Sequence, residues 1–76
     1  MDVYMEQIGD SQDAYTMETW YFNIGDSVDK GAVLCTVEVG KASVDVESPT
    51  GGRLRKIHIE VDQEFHAGAL LCELEV

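Results

Sequence analysis

Apolar and polar residues alternate along most of this chain. Val33, Cys35, Val37 and Val39 alternate with Leu34, Thr36 and Glu38. Ala42, Val44 and Val46 alternate with Ser43, Asp45 and Glu47, and Leu70, Cys72, Leu74 and Val76 with Leu71, Glu73 and Glu75. A period of two is that of half-buried strands. Gly9-Asp10-Ser11, Gly25-Asp26-Ser27, Pro49-Thr50-Gly51-Gly52 and Gly68 supply turns between them. No stretch carries a helical period. Short strands with regular turns predict an all-β sandwich or barrel.

The pattern also repeats. Slid by 37 residues, GAVLCTVEV at 31–39 lies over GALLCELEV at 68–76, with Gly, Ala, Leu, Cys, Glu and Val recurring in place. The same shift lays Met17 over Leu54, Trp20 over Ile57, Phe22 over Ile59, Ile24 over Val61 and Val28 over Phe65. Two copies are too few for a solenoid. They predict a pseudo-two-fold fold in which each half supplies equivalent strands. Cys35 and Cys72 fall on the apolar phase at equivalent places, which predicts small core residues. Neither has a neighbouring His or Lys to activate it.

The stretch VEVGKASV, residues 37–44, breaks the alternation at Gly40-Lys41. A Gly-X pair between alternating flanks is the mark of a two-residue type II′ hairpin turn. Lys41 then projects into water. Subtracting 37 carries it to Tyr4, near the start of the chain, and adding 37 overruns the end. The counterpart of the hairpin tip is therefore where the chain ends lie, so tip and termini are expected at opposite ends of the domain. A tether at one end and a protruding amine at the other suit a lysine presented to partners. An exposed turn lysine with no task is the plain alternative.

Composition narrows the choices. With 76 residues the chain is expected to be one domain, 1–76, too small for both a core and a deep catalytic cavity. Fifteen Asp and Glu against five Lys and Arg give a net charge of −10. That charge repels nucleic acid and anionic membranes, so neither is an expected partner. No apolar run is long enough to span a membrane, and MDVYMEQIGD lacks a signal-peptide core. A cytoplasmic, monomeric domain is expected. Arg53, Arg55 and Lys56 read as a solvated strand face. His58 and His66 have no ligand partners nearby, so no metal is expected.

Several motifs together resemble the biotinyl/lipoyl attachment domain family over roughly residues 5–76. They are Trp20, GDSVDKGAVL (25–34), VEVGKA (37–42), SPTGG (48–52) and FHAGALL (65–71). The resemblance implies a flattened β-barrel, a sandwich of two antiparallel sheets, with one lysine at a hairpin tip for a covalent cofactor. Lys41 is the matching lysine, flanked by Glu38, Val39, Gly40 and Ala42. Glu38, Lys41 and Ala42 agree with lipoyl acceptors, and no methionine flanks the lysine as in biotin acceptors. Gly40 stands where lipoyl relatives commonly have Asp, and Ala14-Tyr15 where many have Glu-Gly.

Lipoate on Lys41 is thus the implied cofactor, with biotin the alternative and an unmodified interaction module the rival from another class. The implied role is a non-catalytic swinging-arm carrier of acyl groups and electrons in a 2-oxo acid dehydrogenase-type complex. Its implied partners are a lipoate ligase or lipoyltransferase and the decarboxylase, acyltransferase and dihydrolipoamide dehydrogenase components. In the resembling family the loop after the first strand lies near the acceptor. Asp10 and Asp13, in GDSQD (9–13), are therefore candidates for partner recognition.

Overall fold

The computed structural model describes residues 1–8 and 14–76. Its strands are β1 (Asp2–Tyr4), β2 (Tyr15–Trp20), β3 (Ser27–Val28), β4 (Val33–Val39), β5 (Ala42–Glu47), β6 (Gly52–Ile57), β7 (Glu64–Phe65) and β8 (Leu70–Glu75). There is no helix among the described residues. One antiparallel sheet runs β1-β8-β6-β3 and the other β5-β4-β2-β7. The two are not closed into a barrel.

The repeat of the sequence is a repeat of the hydrogen-bonding register. Met17 pairs with Val37 and Trp20 with Cys35; shifted by 37, Leu54 pairs with Leu74 and Ile57 with Cys72. Each pairing is interrupted by a bulge at the same place, Glu18 in β2 and Arg55 in β6. Tyr15–Phe65 of one sheet answers Val28–Gly52 of the other. The pseudo-two-fold therefore includes even the irregularities.

The edge strands correct one detail of the sequence reading. Val3 pairs with Cys72 as Val46 pairs with Cys35, and Asp2 with Glu73 as Asp45 with Thr36. Tyr4 is thus the mate of Glu47, not of Lys41. The internal shift between β1 and β5 differs from that of the other strands because β5 follows its turn directly and β1 opens the chain. Met1 donates its amine to the Leu74 carbonyl at 2.6 Å, so the ends of β1 and β8 lie side by side where the other sheet has its hairpin.

The core lies between the sheets and is built from two-fold mates. Met17 and Leu54, Cys35 and Cys72, Val37 and Leu74, Leu34 and Leu71, and Val28 and Phe65 are all buried. Strict alternation had put Leu34 and Leu71 on the outward phase. A register shift between Val33 and Cys35 turns Leu34 inward, and Leu71 is buried at the equivalent place. Gly52 begins β6 rather than closing the preceding turn. A Cβ there would stand 2.7 Å from the Glu75 carbonyl oxygen, so only glycine lets β8 approach.

Candidate functional site

β4 and β5 form a hairpin whose loop is Gly40-Lys41, closed by the pair Val39–Ala42. Gly40 has φ +62°, and Lys41 is not among the described residues with positive φ. That is the φ signature of a type II′ turn; type I′ needs both central residues positive. The sequence therefore dictates the tip locally. Glycine takes the left-handed position and leaves the lysine a relaxed one. The shape matches the right-handed twist of the strands.

Lys41 is exposed, and its side chain has no hydrogen bond or ion pair with the described residues. It is the only basic residue between Lys30 and Arg53. Gly40 and Ala42 beside it are exposed and small, Val39 is half-buried, and Glu38 is exposed. No described residue lies within 4 Å of where a Gly40 Cβ would be. Among the described residues the arrangement is an exposed primary amine between small, exposed neighbours at a hairpin tip.

Beneath the tip the support is firm. Tyr15 pairs with Val39, is buried, and meets the Phe65 ring edge-on at 5.7 Å and 75°. Its hydroxyl accepts a hydrogen bond from the Ile8 backbone N–H at 3.1 Å. One residue thus ties the hairpin base, β7 and the segment after β1 together. On the outer face Ser43 donates to Glu18 at 2.9 Å, across the intervening β4. The two-fold mate of Tyr15 is Gly52, so the end that carries the lysine is buttressed by a ring where the other end has only backbone. Sequence reading passed over Tyr15 as a departure from the family pattern. Its place at the start of a strand beside a hydrophobic partner was the available signal.

Asp10 and Asp13 lie outside the described residues. The described flanks of that segment reach the hairpin base, Ile8 through the Tyr15 hydroxyl and Tyr15 through Val39.

Three other titratable groups, Cys35, Cys72 and Glu73, are shifted by their surroundings. Cys35 and Cys72 are buried free thiols, as their apolar phase implied. Burial, reinforced by Cys72 and Asp45, pushes the Cys35 thiol up to about 12, and burial pushes Cys72 up to about 11. Neither is a nucleophile in that state. His58 Nε2 meets Glu73 Oε2 at 2.6 Å, and this hydrogen bond holds the Glu73 carboxyl below its ordinary range, helped by the nearby charges of Arg55 and Lys56. The two-fold mate of the contact is Tyr21 Oη to Thr36 Oγ1 at 2.8 Å, from which Thr36 donates onward to Asp45 at 2.9 Å. Thr36 is buried yet fully partnered, which is why a polar residue survives at that place. No group of three or more potential metal ligands occurs among the described residues.

The model of the biotin/lipoyl family, described as biotin-requiring enzyme, matches residues 2–74. The chain is 33% identical over 72 residues, 95% of its length, to the lipoamide acyltransferase component of the branched-chain alpha-keto acid dehydrogenase complex of Pseudomonas aeruginosa. It is 32% identical over 75 residues, 99% of its length, to the dihydrolipoyllysine-residue acetyltransferase component of the pyruvate dehydrogenase complex of the same species. These matches cover 17% and 14% of the two relatives. Mouse mitochondrial pyruvate carboxylase is 37% identical over a shorter stretch of 51 residues, 67% of the chain.

Proposed function

The chain belongs to the biotin/lipoyl attachment family, and on that premise we propose that it is a lipoyl carrier domain with Lys41 as the point of attachment. The observation that carries this reading is the tip itself: an exposed amine, without a partner among the described residues, on a glycine-shaped two-residue turn braced from below by Tyr15. The flanking residues favour lipoate over biotin. So does the company of relatives, since the acyltransferase components are matched over nearly the whole chain and the carboxylase over a shorter part.

The domain's share of the chemistry is presentation. Attachment requires the Lys41 ammonium to lose a proton to a base of the attaching enzyme. The Lys41 nitrogen then attacks an activated carboxyl carbon, the leaving group departs, and an amide replaces the charge. Among the described residues no acid or base stands at the amine, and the domain's share of the step is to position it. When attached, lipoate provides a dithiolane that carries acyl groups and electrons between active sites. The chain raises the local concentration of that cargo by tethering it. Its working partners would then be a ligase or lipoyltransferase and the components of a 2-oxo acid dehydrogenase complex, with the domain itself non-catalytic.

The test is reductive acylation. Lipoylated protein is offered to pyruvate and branched-chain 2-oxo acid decarboxylases with their substrates, and its intact mass is followed. Appearance of an acyl increment supports the carrier role. A lipoylated chain that no decarboxylase acylates would contradict it.

A further inference from the structure

The two sheets leave a seam open between β1 and β5, each the outer strand of its sheet. A cleft of about 660 Å³ lies there, straddling the pseudo-two-fold and lined by the mates Asp2 and Asp45, Val3 and Val46. Its floor is apolar: Val3 is buried, and Val44 and Val46 are half-buried. Its rim is acidic. Asp2, Glu6, Asp45 and Glu47 are exposed around it, and no Lys, Arg or His lines it.

Among the described residues, β5 also carries an unused backbone edge. The pair Val39–Ala42 closes a two-residue loop and so exchanges both hydrogen bonds; alternate pairs along an antiparallel ladder do the same. Ser43 and Asp45, opposite Glu38 and Thr36, therefore direct their N–H and C=O groups away from β4. β5 has six residues, while the other outer strands, β1, β3 and β7, have three, two and two. It is the one long free edge among the described residues.

The charges decide what can occupy it. A second copy adding its own β5 would bring Asp45 and Glu47 against the same carboxylates, in a chain of net charge −10. A strand with cations at alternate positions meets those carboxylates and lays its apolar side chains toward Val44 and Val46. We infer that the β1–β5 seam is a docking groove for an extended, lysine- or arginine-rich segment of a partner protein, which adds to β5 as a further strand. Because β5 leaves directly from Lys41, the docked segment holds its parent protein beside the acceptor amine. The groove exists whether or not Lys41 is modified, so its test is separate from that of the carrier role.

The probe is a blocked heptapeptide of alternating lysine and valine, added to the unmodified chain, with amide hydrogen exchange followed by NMR. Exchange at Ser43 and Asp45 should slow about tenfold or more at saturation in low salt. A glutamate–valine peptide should leave it unchanged. The Asp2→Lys/Glu47→Lys variant, shown folded by its dispersed spectrum, should lose the effect of the lysine peptide. The inference is overturned if saturating lysine peptide leaves Ser43 and Asp45 unprotected. Equal protection by the glutamate peptide, or undiminished protection in the folded double variant, overturns it too.

Discussion

Gly40 shows how a single residue sets the site. Its φ of +62° is open to glycine and costly for a branched side chain, while no described residue crowds the place of its Cβ. Gly40→Val should therefore cost about 1–2 kcal/mol through backbone strain alone, and Gly40→Asn markedly less, because Asn visits the left-handed region more readily. Urea unfolding of the two variants checks the order. The Gly-Lys dipeptide made this turn legible in the sequence. The brace under it was not, because the role of Tyr15 depends on an N–H from Ile8 and a ring from Phe65, which only the fold brings near. The buried thiols make a second prediction at this scale. An unfolded chain loses their protons near pH 9, the folded one only toward 11 and 12. The folded state thus holds more protons in between. Their contribution to stability is whole below pH 9 and falls as pH rises toward 11–12, by up to about 1.4 kcal/mol per pH unit per thiol. Unfolding free energies measured from pH 7 to 11 should decline less steeply in Cys35→Ala/Cys72→Ala than in the parent protein.

Strands and hairpins were readable to different degrees. The long strands β4, β5 and β8 follow from period two. The two-residue strands β3 and β7 do not, since so short a run carries no period. Leu34 escaped because a bulge shifts the phase within β4, and no local composition announces it. The hairpin tip as an element appears to the attaching enzyme as a lysine between two small neighbours. If those flanks select the cofactor, Gly40→Met with Ala42→Met should raise biotinylation by a biotin ligase above the parent level. An unchanged rate in a streptavidin blot would place selection elsewhere on the surface.

Across the whole molecule the two-fold explains the division of labour. One sheet closes its β4–β5 pair with a turn and exposes an amine. The other leaves the corresponding place to the chain ends, β1 and β8. The sequence repeat disclosed this relation for six strands, but simple subtraction misplaced the edge strands, where the chain is cut rather than turned. The net charge is −10, and Asp10 and Asp13 belong to the segment whose described flanks reach the hairpin base. Asp10→Asn/Asp13→Asn should slow reductive acylation of the lipoylated chain at low salt. The difference should vanish at high salt, since steering by exposed charge is screened over about 8 Å at physiological ionic strength. Stopped-flow rates at two salt concentrations decide it. All of this depends on the amine at the tip. The most direct measurement is the intact mass of the chain after production with lipoate ligase and lipoate, beside Lys41→Arg, whose unfolding free energy should match the parent within about 0.5 kcal/mol. The account predicts one lipoyl group on the parent and none on the variant. A parent of unmodified mass, or a variant that still gains the group, would contradict it.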